Sequence, residues 1–152
     1  MPKEFFLRAL GQGDPALLEE LMADCDEVQF AAGQIIFHEH EECDQFFLIL
    51  SGRVELEFDV LGRMIALEEL GPGDELGWSS LLMREGKKFQ ARAVSPVHAL
   101  AFDAAKLMDT CVKHPAFGFG LTRRLLEVVS RRLHATRLQL VEAYKEKARA
   151  AG

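Results

Sequence analysis

Between Val28 and Phe102 short β-prone runs end, one after another, in tight turns, most of them at glycine. That rhythm limits the fold more than any other feature. Val28 and Phe30 precede Gly33, and Ile35-Ile36-Phe37 follows it. Gln45 to Leu50 is apolar after its first residue and turns at Ser51-Gly52. Val54, Leu56 and Phe58 then alternate with Arg53, Glu55 and Glu57, the period of a strand with one face in the core and one in water. Leu61-Gly62-Arg63 turns the chain again and Met64 to Leu70 makes another strand. Phe89 to Val94 and Val97 to Phe102 are two more, joined at Ser95-Pro96. Short strands at this spacing predict a mainly β fold: a sandwich, a jelly roll or a closed barrel.

Helices flank this region on both sides. Glu4 to Leu10 and Pro15 to Met22 are helix-like; Asp14 suits the N-cap of the second and Pro15 its first position. Asp103 caps a helix through Ala104, Leu107, Met108 and Val112, ended by His114-Pro115. From Pro115 to about Ala148 there is no further proline, and glycine occurs only at 118 and 120. Leu126, Val129, Leu133, Thr136, Leu140 and Ala143 recur there at alternating steps of three and four, a heptad seam. Leu121, Leu125 and Val128 lie on a neighbouring face suited to the β region, and Phe117 and Phe119 are expected to pack between helix and strands. One helix with two apolar faces needs two partners. The second is expected to be the same helix of another subunit, in a two-fold homodimer.

A chain of 152 residues with 49% hydrophobic and 28% charged residues can bury one core and is not disordered. It reads as a single domain: N-terminal helices over 1–26, the β region over 27–102, C-terminal helices over 103–148. A net charge of −6 opposes general nucleic-acid binding. The local cluster Arg123, Arg124, Arg131, Arg132 and Arg137, interrupted by Glu127, is expected to be solvated charge. Cys25, Cys43 and Cys111 are odd in number and lack a C-x-x-C spacing, as reduced thiols would be. No charged-then-apolar leader opens the chain and no apolar run approaches membrane-spanning length, so a soluble cytoplasmic protein is expected.

The stretch from Leu70 to Leu82 carries the strongest chemical suggestion. A strand runs into Gly71-Pro72-Gly73-Asp74, whose aspartate can cap the turn. Beyond Gly77, the backbone N–H groups of Trp78, Ser79 and Ser80 would be the unpaired donors of a short helical turn, an arrangement that suits an anion. Lys87-Lys88, the only adjacent lysine pair, follows. Together these predict a small anionic-ligand site enclosed by strands.

These residues resemble a known family. Gly33-Gln-Ile-Ile-Phe37 and Phe46-Phe-Leu-Ile-Leu-Ser-Gly52-x-Val54-x-Leu56 resemble the opening of cyclic nucleotide-binding domains of the catabolite activator protein (Crp-Fnr-like) class. Leu70-Gly-Pro-Gly-Asp74 and Ala91-Arg-Ala-Val94 resemble the flanks of that family's phosphate-binding cassette. Ser130-Arg-Arg-Leu-His-Ala-Thr136 resembles its long dimer helix. The resemblance implies an antiparallel β-roll with flanking helices and a long C-terminal dimerisation helix. It also implies a bacterial, non-enzymatic regulatory module that binds a cyclic nucleotide such as cAMP or cGMP, or another small anion, and signals through its helices to a downstream protein. By the same resemblance Gly77 and Ser79 offer backbone N–H groups to the cyclic phosphate, and Lys87, with Lys88 after it, stands in the place of the family's phosphate-binding arginine. Thr136 meets the base from the long helix, and Arg137 lies where a partner subunit contributes. Trp78 occupies the place of a glutamate that accepts from the ribose hydroxyl, and an indole N–H donates but cannot accept. The family's transcription factors append a helix-turn-helix after the dimer helix. Only Lys145 to Gly152 remain here, so DNA binding by this chain alone is not expected.

Two other readings remain at this level. In one, Trp78 plugs the pocket and the domain is a degenerate, ligand-free scaffold for protein partners. In the other, His38-x-His40 with its acidic neighbours is a metal site of a cupin-like enzyme. A cupin pattern requires a further histidine after the Pro-x-Gly turn; none follows Gly71 to Gly73, and His98 is far along the chain. A loop of acidic and imidazole side chains in water accounts for the same residues, and no metal site is assigned. Nucleophilic catalysis has no usable constellation, since Ser79 and Ser80 lack a Gly-x-Ser-x-Gly elbow.

Overall fold

A computed structural model of the chain describes residues 13–38, 44–77 and 89–152. The expected helix at Glu4 to Leu10, the His40 half of the histidine pair, and Trp78, Ser79, Ser80, Lys87 and Lys88 lie outside the described residues. In chain order the elements are α1 (Pro15–Asp24), β1 (Cys25–Phe30), β2 (Ile35–Phe37), β3 (Gln45–Ser51) and β4 (Val54–Val60). There follow β5 (Arg63–Leu70), β6 (Glu75–Leu76), β7 (Gln90–Ala93), β8 (Val97–Asp103), α2 (Ala104–Lys113) and α3 (Pro115–Ala151).

The strands form two four-stranded antiparallel sheets, ordered β1-β8-β3-β6 and β2-β7-β4-β5. They face each other as a β-roll, the expected fold. The apolar run of β3 follows from its position, because it is buried on both faces. Phe47 and Ile49 point into the roll with Phe37, Val54, Leu56, Leu70, Leu76 and the alanines 91, 93, 99 and 101. Phe46, Leu48 and Leu50 point the other way, onto a second core with Leu17, Leu21, Phe102, Leu107, Phe117, Leu121 and Leu125. Sheet one is thus a shared wall between the roll interior and the helical layer.

The helix boundaries obey the expected caps. The Asp14 carboxylate accepts from Ala16 N at 3.0 Å, and Asp103 accepts from Lys106 N at 3.0 Å. Two glycines are required by close approach. Gly52 has φ +92, and a Cβ there would stand 2.2 Å from the Pro96 carbonyl oxygen; Gly118 brings α3 against the Cys111 carbonyl of α2. Leu121, Leu125 and Val128 of α3 are buried against the sheet and helices, each worth about 1.5–3 kcal/mol when fully covered. Phe117 is buried as expected. Phe119 is not: it is 71% exposed, because it falls a heptad before Leu126, on the seam instead of the roll-facing side. Leu126, Leu133 and Leu140 are likewise exposed and Val129 is half-buried.

Candidate ligand site and its link to the long helix

The turn at Gly71–Asp74 is built as its sequence suggests. The Asp74 carboxylate accepts from Gly71 N at 2.9 Å, and Asp74 N donates to the Gly71 carbonyl at 3.0 Å. The turn is stitched to β3, with Gly73 N donating to Ile49 O at 2.9 Å and Ile49 N to Asp74 O at 3.0 Å. Directly after it, Glu75 and Leu76 form a strand paired with Leu48 and Phe47; the sequence pattern, read for a helical turn, missed this strand. Gly77 follows, buried, with φ +87. A residue without Cβ takes that conformation at no steric cost and leaves its backbone open to close approach. Gly77 is the last described residue before position 89.

Glu75 is the residue that sequence reasoning passed over. Its side chain is buried and paired with the Arg124 guanidinium of α3, which also donates to the Gly73 carbonyl. Burial pushes the Glu75 carboxyl above its ordinary pKa, against the opposing pull of Arg124. Arg132, 4% exposed, donates from Nη2 to the Glu75 carbonyl at 3.1 Å and from Nε to Glu68 Oε2 at 3.1 Å. Glu68 Oε1 accepts from Arg131 Nε at 3.1 Å, and Gln139 Nε2 donates to the Ala66 carbonyl at 3.1 Å. Burial lowers the Arg132 pKa while Glu68 opposes the loss of its charge. The expectation of solvated arginines is therefore corrected for Arg132, which is buried; Arg124 and Arg131 remain half-exposed, as expected, while pairing with Glu75 and Glu68. The signal was available: Arg132 falls on the roll-facing side of a helix whose other face is the seam.

Thr136 and Arg137, the residues expected on the base side, both lie on α3. Thr136 lies one turn beyond Arg132 and its hydroxyl donates to the Arg132 carbonyl at 2.9 Å; Arg137 is exposed. A cleft of about 290 Å³ runs between the turn and α3, lined by Asp74, Glu75, Arg124 and Arg131 among others. A second ionic group lies on the outer face of β4 and β7, where Arg92 Nε donates to Glu57 Oε1 at 3.1 Å and Nη2 to Glu55 Oε1 at 3.0 Å. These bonds raise the Arg92 pKa, Glu57 contributing most. Cys111 is a free thiol, and the Cys25 thiol donates to the Met22 carbonyl at 3.8 Å. Among the described residues no group of three histidine, cysteine or acidic side chains gathers as a metal site, and no helix is long and apolar enough to cross a membrane.

A two-sheet antiparallel roll capped by helices, with the strand after its Gly71–Asp74 turn tied to a long terminal helix, is the fold expected of a cyclic nucleotide-binding domain. The comparisons agree. The family model for the cyclic nucleotide-binding domain matches residues 27–114, and the chain belongs to that family. The CRP-like cAMP-activated global transcriptional regulator of Mycobacterium tuberculosis is 27% identical over 130 residues, 85% of this chain and 56% of that protein. The lysophospholipase NTE1 of Phaeosphaeria nodorum is 25% identical over 122 residues, 80% of this chain but 8% of that protein. The chain thus spans only part of these relatives. A solved cyclic nucleotide-binding protein from Geobacter metallireducens superposes with a TM-score of 0.71 at 27% identity, covering 88% of this chain and 100% of that one. These relatives support a regulatory sensor domain.

Proposed function

We propose that the chain is a non-enzymatic sensor of the cell interior, binding a cyclic nucleotide in its β-roll and signalling as a homodimer through α3. The observation that carries this reading is the double tie from α3 to the residues just before Gly77: Arg124 to the Glu75 carboxylate and Arg132 to the Glu75 carbonyl. Gly77 and Ser79 would hold the cyclic phosphate by backbone N–H groups, and Lys87, followed by Lys88, would supply a point charge without the bidentate fork of an arginine. Trp78 would stack or donate where the family accepts from ribose. Any shift of Gly77 then reaches α3 through the ion pair of buried Glu75 with the half-exposed Arg124. A bistable element of this kind responds to whatever binds its two states unequally. The cAMP-activated relative makes cAMP the first ligand to test.

The dimer reading rests on exposure. Leu133 is 69% exposed and Leu126 and Leu140 stand beside it along one line of α3, a seam that a second α3 would cover. Calorimetric titration with cAMP and with cGMP tests the ligand assignment. Saturable binding of one of them, weakened about tenfold by Lys87→Ala, a loss of about 1.4 kcal/mol, is expected; no saturable binding of either overturns it.

A further inference from the structure

The cleft of about 290 Å³ between the Gly71–Asp74 turn and α3 takes no part in nucleotide binding as proposed above. Arg123, Arg124, Glu127 and Arg131 stand on its helical wall, and Asp74 and Glu75 come from the turn and β6. Glu75 pairs in register with Leu48, and residues directly opposite in a ladder share a face. Leu48 packs in the helical layer, so the cleft lies on the helical side of sheet one, across the wall from the roll interior. It also lies away from the seam. With Leu126 and Leu133 at heptad position a, Glu127 falls at b and Arg124 and Arg131 at f. A second α3 laid along the seam leaves the cleft open.

The charge a solute meets there is mostly guanidinium. The side chains of Arg123, Arg124 and Arg131 are 71%, 49% and 53% exposed, against 5% for Glu75. The Asp74 carboxylate is turned onto Gly71 N. Glu127 is exposed, but at 3.9 Å from Arg123 Nε it lies beyond hydrogen-bond distance. Among the described residues Arg131 donates only from Nε, to Glu68 Oε1 at 3.1 Å, so both Nη groups of its five-donor fork remain to be used. Such forks match the oxygens of a phosphate. Arg124 and Arg131 are seven residues apart, about 10 Å along the helix. That separation suits an anion with two charged groups better than a single phosphate.

We propose that this cleft is a second ligand site, for an anion carrying two phosphate groups, held by Arg123, Arg124 and Arg131. It lies outside the roll, and the proposal does not depend on a nucleotide binding there. Arg124 is the shared element. To meet the anion it turns from the Glu75 carboxylate, which is then buried without its cation. Burial already holds that carboxyl above its ordinary pKa, and loss of the cation favours the neutral form further. The anion thus replaces Glu75 as the counter-charge of Arg124, and Glu75 is its internal competitor. The Arg132 bond to the Glu75 carbonyl keeps β6 in place during the exchange.

Calorimetric titration of the whole chain with inorganic pyrophosphate, at low ionic strength where screening is weakest, tests the site. Saturable binding is expected, weakened about tenfold when Arg123→Gln and Arg131→Gln are combined, equivalent to about 1.4 kcal/mol. Both side chains are exposed, so the double variant should keep the fold, with circular dichroism as the check. Glu75→Gln should tighten binding, because it removes the competing charge and keeps the side-chain shape. Orthophosphate should bind more weakly than pyrophosphate. No saturable binding of pyrophosphate, or an unchanged affinity in the double variant, overturns the site. Affinity lost in Lys87→Ala and kept in the double variant places the anion in the roll, which overturns the cleft and leaves the sensor reading standing. Weaker binding by Glu75→Gln overturns the exchange at Arg124.

Discussion

Arg132 of α3 spans two strands at once: its Nε lies 3.1 Å from Glu68 Oε2 in β5, and its Nη2 lies 3.1 Å from the Glu75 carbonyl in β6. The strand entering the Gly71–Asp74 turn and the strand leaving it are therefore fixed to the same helical residue. Arg124, two turns earlier, holds the Glu75 side chain. Gly77 stands two residues beyond that double anchor, so the backbone leading into it is tied directly to the long helix.

Arg132→Ala should destabilise the fold by about 3 kcal/mol, because it leaves a mostly buried carboxylate with one fewer partner and a buried carbonyl without its donor. Urea unfolding measures it. A loss below about 1 kcal/mol would mean that the bridge is as weak as a surface pair.

Glu75 gives a pH signature. Its folded-state pKa is raised above the ordinary 4.5 by burial, so the folded chain holds that proton more tightly than the unfolded one. The stabilising contribution of the protonated carboxyl is full below 4.5 and is lost as pH rises through the higher folded value. Relative to Glu75→Gln, the parent chain should therefore lose stability as pH is raised across that window. Parallel unfolding curves show it, and a pH-independent difference would contradict the burial effect.

The strands were legible because their apolar residues alternate or run together as a two-sheet wall requires: Val54 and Leu56 against Glu55 and Glu57, and the doubly buried β3. The caps at Asp14 and Asp103 and the Asp74 turn were legible for the same local reason, a carboxylate able to meet its own backbone. Glu75 was not. Its burial depends on Arg124, far along the chain, and a carboxylate next to a turn reads as solvent-facing until the helix is in place. Phe119 failed differently: proximity to Phe117 suggested one shared role, whereas the helical period separates their faces.

Leu133→Asp should abolish the α3 dimer while leaving the single chain folded, since Leu133 is exposed within one protomer and touches none of its cores. Two aspartates facing across the seam would repel and remain solvated only when apart. Sedimentation velocity at micromolar concentration, with circular dichroism as the control, decides it. A variant still dimeric would remove the seam from the account.

The central claim is that the roll receives a cyclic nucleotide, and thermal unfolding with and without cAMP or cGMP tests it most directly. At a hundred times its dissociation constant a ligand adds about 2.7 kcal/mol, an upward shift of several degrees in Tm for a chain of this size. The account predicts that shift with one of the two nucleotides, reduced by Lys87→Ala. An unchanged Tm with both, at millimolar concentration, would contradict it and leave a domain that works through its protein contacts alone.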